Sequence, residues 1–224
     1  VSNALLQGGG GAFLPDGTLA IDRDINATLI AEMVSWMVGP DRVCTDVPEF
    51  SPTGNQLKLE GAAVCYLMPD WMCNIWRREL PQLAGRVKVM PLPAWEPGGR
   101  RTSVWGGSML GIARDADNHD QLWETAKRLY TSDALARELY ATGDIITPVT
   151  SLWDDPIFDE PDPYFSGQAK GRMFIDLAPD VPRRAATPFF TQGRTAMQNA
   201  LSALREWAAR TGTYDAEALM PEAR

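Results

Sequence analysis

Three of the eight tryptophans, Trp71, Trp95 and Trp105, flank short polar or glycine-rich stretches and do not fill a regular apolar stripe. An indole held at a loop edge offers an apolar face with a polar N–H, which suits stacking against the C–H-rich face of a sugar ring. Trp71 follows Pro69-Asp70, and proline at a helix start costs no hydrogen bond. The pattern predicts a helix over Asp70–Leu80. Before it, GAAVCYLM at 61–68 is a short apolar run that reads as a buried strand. Trp71 would then stand where a strand hands over to a helix, the edge that faces the ligand crevice in open α/β sheets. Trp76 lies five residues on and cannot share a helix face with Trp71, so it is read as core. Asp70 either caps the helix or offers its carboxylate to ligand hydroxyls.

Other chemistries find less support. A Ser-His-Asp or Cys-His arrangement needs a histidine beside its nucleophile, and the one histidine, His119, sits at a polar helix start and reads as a solvated surface residue. HExxH is absent, and Cys44, Cys65 and Cys73 lack zinc-ligand pairing. Cys65, in the expected strand, reads as a small core residue, while Cys44 and Cys73 are open to pairing in an oxidising compartment. The glycine run Gly8–Gly11 is followed by a Pro15-Asp16-Gly17 turn and not by a helix with Lys-Ser/Thr, so it is not a phosphate cradle. The carboxylates Asp154, Asp155, Asp159 and Glu160 could in principle hydrolyse a glycoside, but they stand among prolines in a stretch that reads as a solvated loop.

These residues need elements to position them. A helix is expected from Asn26 as N-cap through Leu29, Ile30, Met33, Trp36 and Met37, stopping at Gly39, with Trp36 and the methionines read as core. Residues 41–57 read as a loop, 86–90 as a second strand and 108–114, SMLGIAR, as a third. Asn118 and Ser132 cap an expected helix pair, with Trp123, Ala126 and Tyr130 on one face of the first and the second ending at Gly143. Residues 163–177 look helical. The last long helix opens at Thr187-Pro188-Phe189-Phe190, with Met197, Ala200, Leu201, Leu204 and Trp207 as its buried stripe, and a frayed tail is expected after Gly212.

The order GAAVCYLMPDW, VKVMPLP, a polar glycine-rich turn and then WGGSMLGIARDADNHDQLWETAKRLY resembles the extracellular solute-binding proteins of sugar ABC transporters, the maltose-binding-protein-like group. The resemblance runs from Leu5-Leu6-Gln7-Gly8-Gly9-Gly10 to near Arg210. It implies an α/β, periplasmic-binding-protein-like (type II) two-lobe fold, here mainly the C-terminal lobe with part of the first. Residues 1–93 and 148–224 would belong to the C-terminal lobe and 94–147 to the returning segment of the N-terminal lobe, with a hinge at Pro91–Trp95. It also implies that the chain starts well inside a longer protein. By the same resemblance Trp71 stacks on the sugar, Gly9 and Gly10 line the cleft, Trp105, Gly106 and Gly107 face it from the other lobe, and Phe189 and Phe190 contact the ligand. The group often has Trp or Tyr at this last place, so phenylalanine keeps stacking and loses a hydroxyl contact.

Composition agrees with a binding role outside nucleic acid. Net charge is −8 with 22% charged and 45% hydrophobic residues, and there is no basic stripe, which excludes nucleic acid and anionic lipid as natural partners. No apolar run reaches the roughly 20 residues that span a membrane, and no signal peptide stands at Val1. The expectation is an extracytoplasmic protein, periplasmic or lipid-anchored, monomeric and non-catalytic. It would carry a neutral mono- or oligosaccharide to ABC permease subunits, with no metal and no cofactor. A glycoside hydrolase and a non-catalytic interaction or sensing module are the alternatives.

Overall fold

A computed structural model describes residues 1–224. Nine α-helices carry the fold: α1 (Ser2–Gln7), α2 (Asp24–Ser35), α3 (Pro52–Glu60), α4 (Met72–Glu79), α5 (His119–Thr131), α6 (Asp133–Gly143), α7 (Lys170–Leu177), α8 (Phe190–Thr211) and α9 (Ala216–Ala223). The chain forms two compact units. The first comprises Val1–Gly54, Leu92–Val104 and Asp180–Arg224; the second comprises Asn55–Pro91 and Trp105–Pro179.

The first unit is an aliphatic helix assembly. Leu29, Ile30, Met33 and Val34 of α2 recur at helical spacing and bury against Met197, Leu201, Leu204 and Ala208 of α8 and Leu219 of α9. The stripe on α8 matches its periodicity, except that Ala200 is exposed and Trp207 only half-buried. Three expectations fail here. Asn26 is not an N-cap: α2 starts at Asp24, and Asn26 is buried inside its first turn. Trp36 is 41% exposed; it stacks on Trp95 with ring centroids 5.3 Å apart and planes at 13°. The tail is no frayed end, because Asp215 caps α9 by accepting from the Glu217 and Ala218 amides at 2.9 and 3.2 Å, and Leu219 is wholly buried.

The second unit has an aromatic and sulfur-rich core of Met72, Cys73, Trp76, Leu80, Leu83, Val89, Tyr164 and Phe165, and a smaller cluster of Tyr140, Phe158 and Ile175. Trp76 is core, as its spacing predicts. The expected strands are not there. Across the chain the only β pairing consists of isolated bridges, Phe13 with Leu19 and Asp162 with Gln168. Part of the 41–57 loop is helical instead, because α3 begins at Pro52. Gly61, read as leading a strand, is the left-handed residue (φ 69°) that ends α3, and the Ala62 and Ala63 amides turn back to Leu57 O at 3.0 and 3.3 Å. The run after it is not buried: Val64 is 83% exposed, and Leu67 and Cys65 are exposed too.

Residues 86–90 form no strand: Arg86 ends a turn, and side chains bond the backbone of Val87 and Val89 where a neighbouring strand would. The Gln168 amide accepts from Val89 N at 2.8 Å and donates to Val89 O at 2.9 Å, and Ser166 Oγ donates to Val87 O at 2.9 Å. Residues 108–114 form no ladder and, apart from the half-buried Ile112, are exposed, with Met109 98% accessible. The helix expected over 163–177 begins only at Lys170; Tyr164 and Phe165 are buried in the turn before it.

Candidate functional site

In the second unit, Asp70 and Trp71 stand just ahead of α4, whose N-cap position Trp71 occupies. The Trp71 indole is half-buried against the aromatic core, and its Nε1 donates to Trp105 O at 3.3 Å. The Trp71 and Trp105 rings meet edge to face, with centroids 6.0 Å apart and planes at 69°. Gly106 and Gly107 follow with φ of 109° and 105°, conformations that side chains strain to adopt. Both glycines are exposed, and neither amide takes part in the protein's own hydrogen bonds. An indole corner beside two open amides can stack on a ring and donate to its hydroxyls.

Asp70 lies next to this corner. Burial pushes its carboxyl above the usual aspartate range, and the Asp144 charge adds to that. Its Oδ2 accepts from the Ile146 amide at 3.5 Å. Beneath it, Lys170 is buried and donates to Asp144 Oδ1 at 2.5 Å, with Asp162 Oδ2 at 3.3 Å. Arg77 bridges the same two aspartates at 3.4 and 2.6 Å. Asp144 is the left-handed residue ending α6 (φ 57°), and Asn74 of α4 donates to Thr142 O at 2.5 Å. Two cations on two buried carboxylates therefore fix the end of α6 and the segment reaching Ile146, whose amide meets Asp70.

In the first unit, the glycine run follows α1. Its amides are spent inside the protein: Gly9 N donates to Leu6 O at 3.2 Å, Gly10 N to Leu5 O at 2.8 Å and Gly11 N to Asn26 Oδ1 at 2.7 Å. Gly9 is exposed and Gly10 buried. A Cβ on Gly10 would come within 2.5 Å of Asn26 Oδ1. Phe189 is the exposed N-cap residue of α8 and Phe190 its half-buried first residue. Phe190 lines a small apolar hollow of about 30 Å³ with Gly11, Phe13, Arg184 and Arg194. The sequence singled out neither arginine. The one available signal was the Phe190/Arg194 spacing of four, which puts both on one helix face.

The predicted site residues thus fall into two groups, Asp70, Trp71, Trp105, Gly106 and Gly107 in the second unit and Gly9, Gly10, Phe189 and Phe190 in the first. Two of the four carboxylates in the acidic stretch are occupied structurally. Asp155 caps the turn at Ile157 and pairs with Arg137 at 2.6 Å; Asp159 pairs with Arg172 at 2.7 Å. Hydrogen bonds hold both carboxyls below their usual range, the reverse of the shift a glycosidic general acid needs. His119 is exposed, hydrogen-bonded to Arg114 O at 3.0 Å. The three cysteines are unbonded, and burial pushes the Cys73 thiol up to about 12. No helix is long and apolar enough to cross a membrane.

Comparison with known proteins points the same way as the motifs. The chain is similar to the arabinooligosaccharide-binding protein of Halalkalibacterium halodurans, 23% identical over 184 residues, covering 78% of this chain and 40% of that protein. It is also similar to the arabinooligosaccharide-binding protein of Bacillus subtilis, 33% identical over 57 residues, covering 25% of this chain and 13% of that protein. The resemblance to sugar-binding solute-binding proteins carried by the motifs is therefore present in relatives of that name. The chain spans about 40% of the length of the first of them. No family model matches the chain, and no solved structure matches it.

Proposed function

We propose that this chain is part of an extracytoplasmic solute-binding protein that captures a neutral mono- or oligosaccharide and delivers it to an ABC transporter permease. The observation that carries the reading is the Trp71–Trp105 corner with its two exposed glycines. The relatives named for arabinooligosaccharide binding support the ligand class. Trp71 stacks on a ring, its N–H already used by Trp105 O, so it contributes its face alone. Asp70 accepts ligand hydroxyls, and the Gly106 and Gly107 amides donate to them. Gly9, Gly10, Phe189 and Phe190 of the first unit are proposed as saccharide contacts in their own right. Gly9 and Phe189 make contact at the exposed surface, and Gly10 acts by shaping the loop. In this reading the fold is the two-lobe type II arrangement and the protein works as a monomer.

The test is calorimetric titration of the intact protein with arabino-oligosaccharides and a panel of neutral saccharides. Binding to at least one is expected, and Trp71→Ala should weaken it by about 1–3 kcal/mol, the value of one buried aromatic. Silence across the panel overturns the proposal. Unchanged affinity in Trp71→Ala removes that indole from the site.

A further inference from the structure

We infer that the hollow beside Phe190 takes the acetyl group of an acetylated, still neutral saccharide. This deepens the sugar-binding reading above and rests on it. The wall of the hollow is almost wholly apolar, with Leu5, Leu6, Phe13, Phe190 and Met197 lining it. At about 30 Å³ it has room for a water or two and none for a sugar ring. A ring stays outside, and only a small substituent enters. The hollow is also preformed. A Cβ on Gly193 of α8 would come within 2.5 Å of the Phe13 ring and 2.8 Å of Ala12 Cβ, so glycine there lets the helix and the loop close on each other.

The polar part of the wall is backbone. The Ala12 and Phe13 amides take no part in the protein's own hydrogen bonds. Phe13 is bridged to Leu19, and the bonds flanking it, Leu14 N to Thr18 O and Ala20 N to Ala12 O, are both 2.9 Å long. That makes Phe13 the non-hydrogen-bonded position of an antiparallel pair, whose N–H turns away from the partner arm. None of residues 18–20 lines the hollow, so the hollow lies on the side that the N–H faces. A water there would find too few polar partners, and a hydroxyl would leave bonds unmade against aliphatic carbon. An acetyl group divides as the wall does. Its methyl meets Leu5, Leu6 and Met197, and its carbonyl oxygen, an acceptor with no proton to place, meets the Phe13 N–H. Arg184 and Arg194 are exposed and keep their charge in water; Arg184 packs on the Phe190 ring, 4.9 Å from its centroid.

The experiment titrates the intact protein by calorimetry with two neutral pairs. One is O-acetylated arabino-oligosaccharides against the same chains after de-esterification. The other is triacetylchitotriose against its N-formyl counterpart. In at least one pair the acetylated member should bind about fivefold to tenfold more tightly, the worth of a buried methyl with or without one hydrogen bond. Which pair responds separates an ester from an amide. Propionyl in place of acetyl should lose the advantage, because the hollow has no room for a further methylene. Leu6→Ala widens the hollow and should move the preference from acetyl to propionyl, a gain that damage to the fold cannot produce. Ala185→Leu, which fills the hollow from another lining position, should bring the two members of the responding pair to equal affinity. Circular dichroism of each variant confirms folding. Equal binding within both pairs, or a parent protein that accepts propionyl as well as acetyl, overturns the inference and leaves the sugar reading standing. A Leu6→Ala variant with the parent's preference also overturns it. Silence towards every saccharide removes both.

Discussion

Two glycine segments of this protein share a composition and behave in opposite ways. Gly8–Gly11 is a packed knot: a Cβ on Gly8 would come within 2.7 Å of Leu29 and 3.1 Å of Trp95, and every amide from Gly9 to Gly11 is bonded internally. Gly106–Gly107 is open: both residues are exposed, a Cβ on Gly107 would meet nothing within 4 Å, and the two φ values exclude ordinary side chains. In the first segment Gly8 and Gly10 are needed for space, and Gly9 (φ 84°) and Gly11 (φ 139°) for the turn of the backbone. In the second, glycine is needed for backbone shape, with amides that the protein itself leaves unbonded. Glycines near a binding site are therefore not interchangeable evidence of it; the destination of their N–H groups decides.

Asn26 offers the largest way to break this contrast. Its side chain accepts from Gly11 N at 2.7 Å and donates to Gly11 O, Ala20 O and Ile21 O at 3.1, 2.8 and 3.2 Å. Asn26→Ala leaves several buried groups without partners and should cost about 3 kcal/mol in urea unfolding. A loss below about 1 kcal/mol, no more than an ordinary hydrogen bond, would mean that the knot is held by other means.

The same substitution at the two glycine segments sharpens it. Gly10→Ala must displace Asn26 Oδ1 and should cost about 1–3 kcal/mol, as overpacking does. Gly107→Ala has space but the wrong φ. It should relax the exposed loop at a cost below about 1 kcal/mol, while weakening saccharide binding by a similar amount through lost backbone shape. Equal stability losses in the two variants would erase the distinction between a packing glycine and a shape glycine.

Helical periodicity and capping residues were legible even where a helix buries little, as in α5, whose one buried residue is Ala126 while Trp123 is 57% exposed. α2, α5, α6 and α8 are all visible in the sequence, and Ser132 caps α6 by accepting from the Leu135 amide at 3.3 Å. Apolar runs without periodicity misled. GAAVCYLM has strand composition, yet a strand is defined by what pairs beside it, and here Gly61 closes a helix whose weak amphipathy hid it. The 86–90 segment is not the expected strand; its bonds go to Gln168 and Ser166, some 79 residues away, a distance no local pattern encodes. Aromatic exposure was also invisible locally. Trp36 has helical spacing yet half-emerges because Trp95, from another part of the first unit, offers a flat surface to stack on. Of the candidate site, the tryptophan and glycine positions could be named from residue type and order. The ion network under Asp70 was not, because Asp144, Asp162, Lys170 and Arg77 meet only through the fold.

Asp70 supplies the smallest effect and a separate test of how the open segment's corner is tuned. Burial raises its carboxyl in the folded state, so the native protein binds a proton more readily than the unfolded chain between the ordinary aspartate value, about 3.9, and the raised one. Stability must fall as pH rises through that window, and the penalty persists above it. Asp70→Asn keeps an oxygen to accept from the Ile146 amide and removes the charge facing Asp144. The variant should melt slightly higher than the parent at neutral pH, and the two should converge below the window, where Asp70 is protonated in both states. Its saccharide affinity should drop, since an ionised acceptor is lost to the ligand's hydroxyls. A gain in stability coupled to a loss in affinity is the signature of a group kept at a cost for binding. A variant that loses stability at neutral pH would assign Asp70 to scaffolding, alongside the glycine knot of the first unit.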